Sequence, residues 1–154
     1  MKITIITIGK PHEPHIAEAV RLYESRLQRL CKLGWIFLPP SGLGSSERAR
    51  TAESAAIKGR LTADDTVILL DERGHHWSSP EFAEKLNYWQ ANNRGRLVFI
   101  IGGAYGVDDA LRAQTTAVWS LSKLVFPHRL VRVLLVEQLY RAYAILNKLP
   151  YHHG

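Results

Sequence analysis

The residues best placed to do chemistry in this chain lie between Leu97 and Asp109. Leu97-Val98-Phe99-Ile100-Ile101 is an apolar run with three β-branched residues, the pattern of a buried strand. Gly102, Gly103 and Gly106 follow, and Asp108-Asp109 suits a helix start. Strand, glycine turn and helix start is how open α/β sheets bring backbone N–H and C=O groups against a ligand. The same glycines also serve a tight strand exit that needs positive φ. A dinucleotide fingerprint is set aside, because these glycines follow the fourth strand and no acidic residue stands near Phe126, where that motif needs one. Other reactive side chains read as structural. Asp71-Glu72 solvates a loop at the end of an apolar run, and His75-His76 sits exposed in a polar loop and is not a metal site. Cys31 is the sole cysteine, which excludes an intrachain disulfide and a Cys-rich zinc site. No metal is expected.

Strands alternate with helices along the whole chain. Strands are expected at Lys2–Ile8, Trp35–Leu38 (after Gly34), Thr66–Leu70, Leu97–Ile101 and Ala117–Leu121. Ile16, Val20, Tyr23, Leu27 and Leu30 recur at helical spacing, with Arg21, Arg26 and Arg29 opposite. A glycine- and serine-rich loop, Ser41 to Ser46, precedes an Ala-, Glu- and Arg-rich helix to about Arg60 that is expected outside the sheet. Ser79-Pro80-Glu81 opens a further helix, with serine as cap, and Asp108 to Thr115 forms a short one. This order implies one α/β domain over residues 1–154, with a mostly parallel sheet flanked by helices. Ligands of such sheets sit outside the carboxyl ends of strands, here after Leu70, Ile101 and Leu121.

The final helix, His128 to Asn147, is apolar around nearly its whole circumference and must be covered on more than one side. A second subunit in a homodimer is the economical cover, with internal burial in a monomer the alternative. Arg132, Glu137 and Arg141 argue against a membrane span there. With 20 Lys and Arg against 14 Asp and Glu, the net charge of +6 favours an anionic partner, RNA or DNA first, although solubility alone also explains it. The first residues carry no signal pattern, so a cytoplasmic protein is expected.

Five ordered blocks carry a resemblance: Ile101-Gly102-Gly103-x-x-Gly106, Trp119-Ser120-Leu121-Ser122, Pro127-His128-x-Leu130-x-Arg132, Glu137-x-Leu139-Tyr140-Arg141-Ala142 and Pro150-Tyr151-His152. Together they closely resemble the small SPOUT-class methyltransferases, in particular the bacterial family that methylates N3 of a pseudouridine in 23S ribosomal RNA. The resemblance implies a C-terminal trefoil knot, a homodimer, S-adenosylmethionine as methyl donor, and 23S rRNA in the assembled large subunit or ribosome as substrate. By position it implies a cofactor pocket on Leu70, Gly102, Gly103 and the loop Ser122, Lys123, Leu124, Val125, Phe126 and Pro127. The glycines would then serve close backbone approach to the cofactor, and apolar Leu124, Val125 and Phe126 would pack around its adenine.

Methyl transfer needs an aligned nucleophile, and N3 of pseudouridine must lose its proton before or during attack. Candidates near the cofactor loops are His128, Arg132, Glu137, Tyr151 and His152, of which Tyr151, His152 and Arg132 are the expected catalytic set. The tail is expected to help build the site, including across the dimer. Two places, covering three positions, depart from the family pattern. His153 replaces a usual arginine or lysine and lacks a guanidinium's permanent charge. Ala104-Tyr105 replaces a proline and an acidic residue, with Tyr105 either stacking on a substrate base or covering the cofactor. The competing function is a ribosome-associated RNA-binding factor of the same fold without methyl transfer.

Overall fold

The computed structural model describes residues 1–42 and 44–154; Leu43, inside the Ser41–Ser46 loop, lies outside them. The elements are β1 (Lys2–Ile8), α1 (Pro14–Leu27), β2 (Lys32–Leu38), α2 (Ser46–Lys58), β3 (Thr66–His76), α3 (Ser79–Asn92), β4 (Leu97–Ile101), α4 (Asp109–Ala113), β5 (Ala117–Ser120) and α5 (His128–Leu146). The strands form a five-stranded sheet in the order β2-β1-β4-β3-β5, every neighbouring pair parallel.

Both faces of this sheet are buried, which is why its strands read as near-continuous apolar runs. Ile3, Ile5, Ile68, Leu97, Phe99 and Trp119 pack on one face with residues of α1, α3 and α5. Ile6, Ile8, Val67, Leu69, Val98 and Ile100 pack on the other with Ile57 of α2 and Leu111 of α4. On the first face Trp119 stacks on Phe82 with ring centroids 4.2 Å apart and on Trp77 at 5.5 Å. These stacks anchor α3 to the edge strand β5.

Helix starts follow local chemistry. The Ser45 hydroxyl accepts the Arg48 N–H at 3.1 Å at the start of α2. Ser78, one residue before the expected cap Ser79, forms a capping box with Glu81 at α3: Ser78 Oγ accepts the Glu81 N–H (3.2 Å) and the Glu81 carboxylate accepts the Ser78 N–H (2.7 Å). Asp108 caps α4 by accepting the Leu111 N–H at 2.8 Å.

Three sequence expectations are corrected. Helix α2 is not peripheral: Ala49, Glu53, Ser54 and Ile57 are buried against the sheet, the small side chains allowing close approach. Strand β2 begins at Lys32 and runs through Gly34, which pairs with Thr4. Strand β3 does not stop at Leu70. After an irregularity between Leu70 and His75 it rejoins β5, pairing His75 with Trp119 and His76 with Ser120. Asp71-Glu72 and His75-His76 therefore lie on a strand and not in a loop, with both histidines exposed. Gly74 permits this, because a Cβ there would stand 2.6 Å from the Val118 carbonyl.

Helix α5 lies in the same layer as α1 and α3 and shares their core cluster with the sheet. Tyr143 donates to Gln90 Oε1 (3.0 Å) and the Ser79 hydroxyl donates to Gln138 Oε1 (2.7 Å), tying α5 to α3. Much of its apolar circumference is thus met within the chain. What stays uncovered is its start, where Leu130 is 46% exposed beside the exposed Leu124 and Val125 of the preceding loop. Among the described residues no helix is long and apolar enough to cross a membrane.

The Arg96 guanidinium donates to Asp65 from Nε (3.1 Å) and Nη2 (2.8 Å), and Asp65 is almost wholly buried. Burial pushes the Asp65 carboxyl up, but the bonds from Arg96 and the Thr62 N–H outweigh it and hold the group below the usual carboxylate range. A depressed folded-state pKa means that this stabilisation is complete above the unfolded value of about 4 and is lost as pH falls through the folded value. Asp65→Asn is expected to cost about 3 kcal/mol in urea unfolding at pH 7 and to flatten the acid limb of stability against pH.

Candidate active site

Strands β4, β3 and β5 are neighbours in the sheet, and the turn after β4, the irregular stretch of β3 from Leu70 to Arg73 and the loop after β5 line a cavity of about 770 Å³. Leu70 contributes from β3, Gly102 and Gly103 from the turn after β4, and Leu121, Ser122, Leu124, Val125 and Phe126 from the loop after β5. Of the nine residues expected at a cofactor, seven therefore line one space. Lys123 and Pro127 do not: Lys123 is exposed, and the Pro127 carbonyl accepts the Leu130 and Val131 N–H groups at the start of α5. Ser122 shapes the loop, its carbonyl accepting from Ser120 Oγ (2.8 Å) and its hydroxyl from the Leu124 N–H (3.0 Å).

The glycines have a reason behind the turn as well as in front of it. A Cβ on Gly103 would stand 2.5 Å from Glu53 Oε1, and one on Gly102 3.3 Å from Val107 Cγ1. Gly106 has φ +73°, and its N–H donates to the Gly103 carbonyl at 3.0 Å, closing a tight turn. Protein packing thus demands small residues here before any ligand is considered.

Asp71, expected merely to solvate a loop, lines the cavity and is tied down. It accepts the Arg73 N–H at 2.8 Å and pairs with Arg112. Burial works to raise its pKa, but these bonds prevail and keep it ionised below the usual carboxylate range. Arg50 and Thr51 of α2 also line the cavity, which sequence reasoning missed by placing that helix outside the sheet. The available signal was its run of small residues, Ala49, Ala52, Ser54, Ala55 and Ala56, on a capped helix.

Helix α5 carries the remaining candidates at two separate places. His128, in its first turn, lines the cavity. Burial, then the charge of Arg132, lowers its pKa, with Glu53 opposing, so the imidazole is neutral at pH 7 and able to accept a proton. Arg132 is buried one turn further on, outside the cavity lining. Its Nη1 donates to the Lys10 carbonyl at 2.9 Å and lies 3.3 Å from His12 Nδ1, and its guanidinium stands 5.5 Å from the Phe37 ring. Gly9, at φ +142°, makes room for it, since a Cβ there would stand 2.7 Å from Arg132 Nη2.

Tyr151 and His152 pack on the far half of α5. Glu137 is their hub: Oε1 accepts from Tyr151 Oη (2.9 Å) and from Arg141 Nε and Nη2 (3.0 and 2.6 Å), while Arg141 Nη1 lies 3.2 Å from His152 Nδ1. The Tyr151 ring meets Tyr140 edge-on at 4.8 Å. Burial, then the Glu137 carboxylate, pushes the Tyr151 hydroxyl up to about 12. Nine residues of helix separate His128 from Glu137, which holds Tyr151, and thirteen separate it from Arg141, beside His152: about 14 and about 20 Å at 1.5 Å per residue. The structure therefore brings His128 to the cavity and leaves Tyr151 and His152 of the same chain far from it.

The family model described as "Predicted SPOUT methyltransferase" matches residues 1–152. The chain belongs to this family. Its relatives include proteins named ribosomal RNA large subunit methyltransferase H, matched essentially end to end. That of Porphyromonas gingivalis is 38% identical over 99% of both chains, and that of Geobacter metallireducens 37% identical over the full length of both. Among solved structures, a probable methylase family protein from Haemophilus influenzae Rd KW20 shares the fold with a TM-score of 0.58 at 15% identity, over 99% of this chain and 70% of its own.

The Glu137 hub is testable by titration. Glu137→Gln removes the carboxylate that raises the Tyr151 hydroxyl, so the tyrosine transition near 12 is expected to move towards 10 in ultraviolet difference spectra, with Tyr151→Phe identifying the transition.

Proposed function

We propose that this chain is an S-adenosylmethionine-dependent methyltransferase that modifies N3 of a pseudouridine in large-subunit ribosomal RNA, acting as a homodimer on the assembled particle. The observation that carries this reading is the cavity over β3, β4 and β5 of a chain that matches SPOUT methyltransferases over residues 1–152. Relatives named for large-subunit rRNA methylation and a net charge of +6 support an RNA substrate.

The residues present fit the cofactor. At about 770 Å³ the space suits a nucleoside-sized ligand, and it combines apolar walls from Leu124, Val125 and Phe126 with backbone groups at Leu70, Gly102 and Gly103. S-adenosylmethionine would supply an electrophilic methyl group on a sulfonium. The work left to the chain is to exclude water, align the RNA base and manage one proton. We assign that proton to His128, whose neutral imidazole faces the cavity. Arg132 acts from behind it, holding the start of α5 against the loop after β1 and adding to the burial that keeps the resting imidazole neutral. Tyr151 and His152, remote from their own cavity, serve that of the second protomer, and the uncovered Leu124, Val125 and Leu130 fall within the subunit interface. The C-terminal segment is threaded as a trefoil knot.

Calorimetry is expected to show saturable binding of S-adenosylhomocysteine, and sedimentation a dimer. Large subunits lacking the modification should gain one methyl group per particle, located by mass mapping, whereas naked transcript should not. His128→Ala should lower kcat by about 100-fold or more and leave cofactor affinity intact. Cofactor binding without transfer to either substrate would identify an RNA-binding factor of the same fold instead.

A further inference from the structure

Tyr105 is 54% exposed although it sits in a closed turn at the cavity. Two bonds hold that turn rigid: the Gly106 N–H donates to the Gly103 carbonyl, and Arg50 Nε reaches across from α2 to the Tyr105 carbonyl, each at 3.0 Å. Arg50 is itself only half-buried, and among the described residues no carboxylate pairs with it. Its Nη groups keep both charge and donors. The cavity rim therefore presents an aromatic face on a hydrogen-bonded turn beside a guanidinium that is in salt-bridge range of no described carboxylate, with Glu47, Asp108 and Asp109 elsewhere in the same lining. The apolar wall a cofactor's adenine needs is already supplied by Leu124, Val125 and Phe126, so neither group is required for that purpose.

Resting on the function proposed above, we propose that Tyr105 and Arg50 form a nucleotide-recognition pair: a base of the substrate RNA strand stacks on the Tyr105 ring, and Arg50 holds that nucleotide's phosphate. Unpaired bases are bound in this manner, on aromatic side chains with a cation nearby for the backbone. The guanidinium offers a fork of donors that matches a phosphate, and its bond to the Tyr105 carbonyl sets the spacing between the two groups before RNA arrives. A rigid turn also lowers the ordering cost of binding. The pair selects and positions substrate; it takes no part in moving the proton or the methyl group.

The test uses the full-length protein and large ribosomal subunits lacking the modification. Tyr105→Ala and Arg50→Ala are each expected to weaken subunit binding and raise KM about tenfold. Both kcat and the calorimetric affinity for S-adenosylhomocysteine should stay within about twofold of wild type. Tyr105→Trp, which keeps a stacking face, should restore binding, and Arg50→Lys, which loses the fork, should do so only in part. Unchanged subunit affinity in both alanine variants would overturn the pair. So would a loss of S-adenosylhomocysteine affinity matching the loss of subunit affinity, since the groups would then belong to the cofactor. A wild type that binds subunits without methylating them would sink the proposed activity alone, and the loss of binding in Tyr105→Ala would still support the pair.

Discussion

Parallel pairing throughout the sheet is the constraint from which the rest of this molecule follows. A parallel strand cannot turn back on its neighbour, so each crossover is a helix, and every strand delivers its carboxyl end to the same edge. At the cavity the register is level: Ile101 of β4 lies opposite Leu70 of β3 and opposite Thr7 of β1, and β3 alone runs on to His76 along β5. Segments leaving a level edge cannot all fill the space above it, and over β4, β3 and β5 the result is the cavity. The same constraint buries both sheet faces, so the polar groups of the site must be handled by helices packed from above and below.

Those helices bring charge into places where it must be managed closely. Among the described residues no carboxylate forms a salt bridge with the buried Arg132, which relies on the Lys10 carbonyl, the His12 ring and the face of Phe37. Glu53, equally buried on the opposite layer, accepts the Ser41 N–H at 2.9 Å through one oxygen while the other lies against Gly103. His128 stands between these opposite charges and feels both, with burial and Arg132 prevailing. Further along α5, the Glu137 hub has the opposite character: four donors converge on one carboxylate, leaving a firmly organised polar cluster. One helix thus carries a desolvated, lightly bonded end and a densely bonded one.

Much of this was legible in the sequence, because the strands are apolar runs stopped by glycine or proline and the helices carry recognisable starts. The three places that line the cavity, at Leu70, Ile101 and Leu121, followed from that pattern alone, although β3 does not end at the first of them. What escaped is instructive. The extension of β3 past Asp71 is written in polar residues, since its outer part is held by backbone pairing and by the space Gly74 leaves against Val118. Helix α2 is weakly apolar because Ala and Ser suffice where a helix approaches a sheet closely, so its buried Glu53 and cavity-lining Arg50 could not be read from hydropathy. Glycine spacing pointed to the right turn, but not to Glu53 and Val107 packed behind it. The tail's distance from the cavity was equally hidden, because sequence order does not say that residues 151 and 152 fold back along α5.

The contact between Arg132 and the Lys10 carbonyl joins positions 122 residues apart. It fastens the start of the last helix to the loop that follows the first strand, while β4 must slot between β1 and β3 to complete the sheet. Loop-closure entropy for such pairings has to be met before their contacts contribute, which slows folding. On the ribosome, β1, α1 and β2 emerge early with a strand edge open and a buried guanidinium's partners unfilled. They wait for β4 to cover that edge and for α5 to bring Arg132 to its partners. Until then the nascent chain has no finished core, and an open apolar strand edge is the kind of surface on which chains associate wrongly. Emergence of α5 is therefore the gate to completing this core.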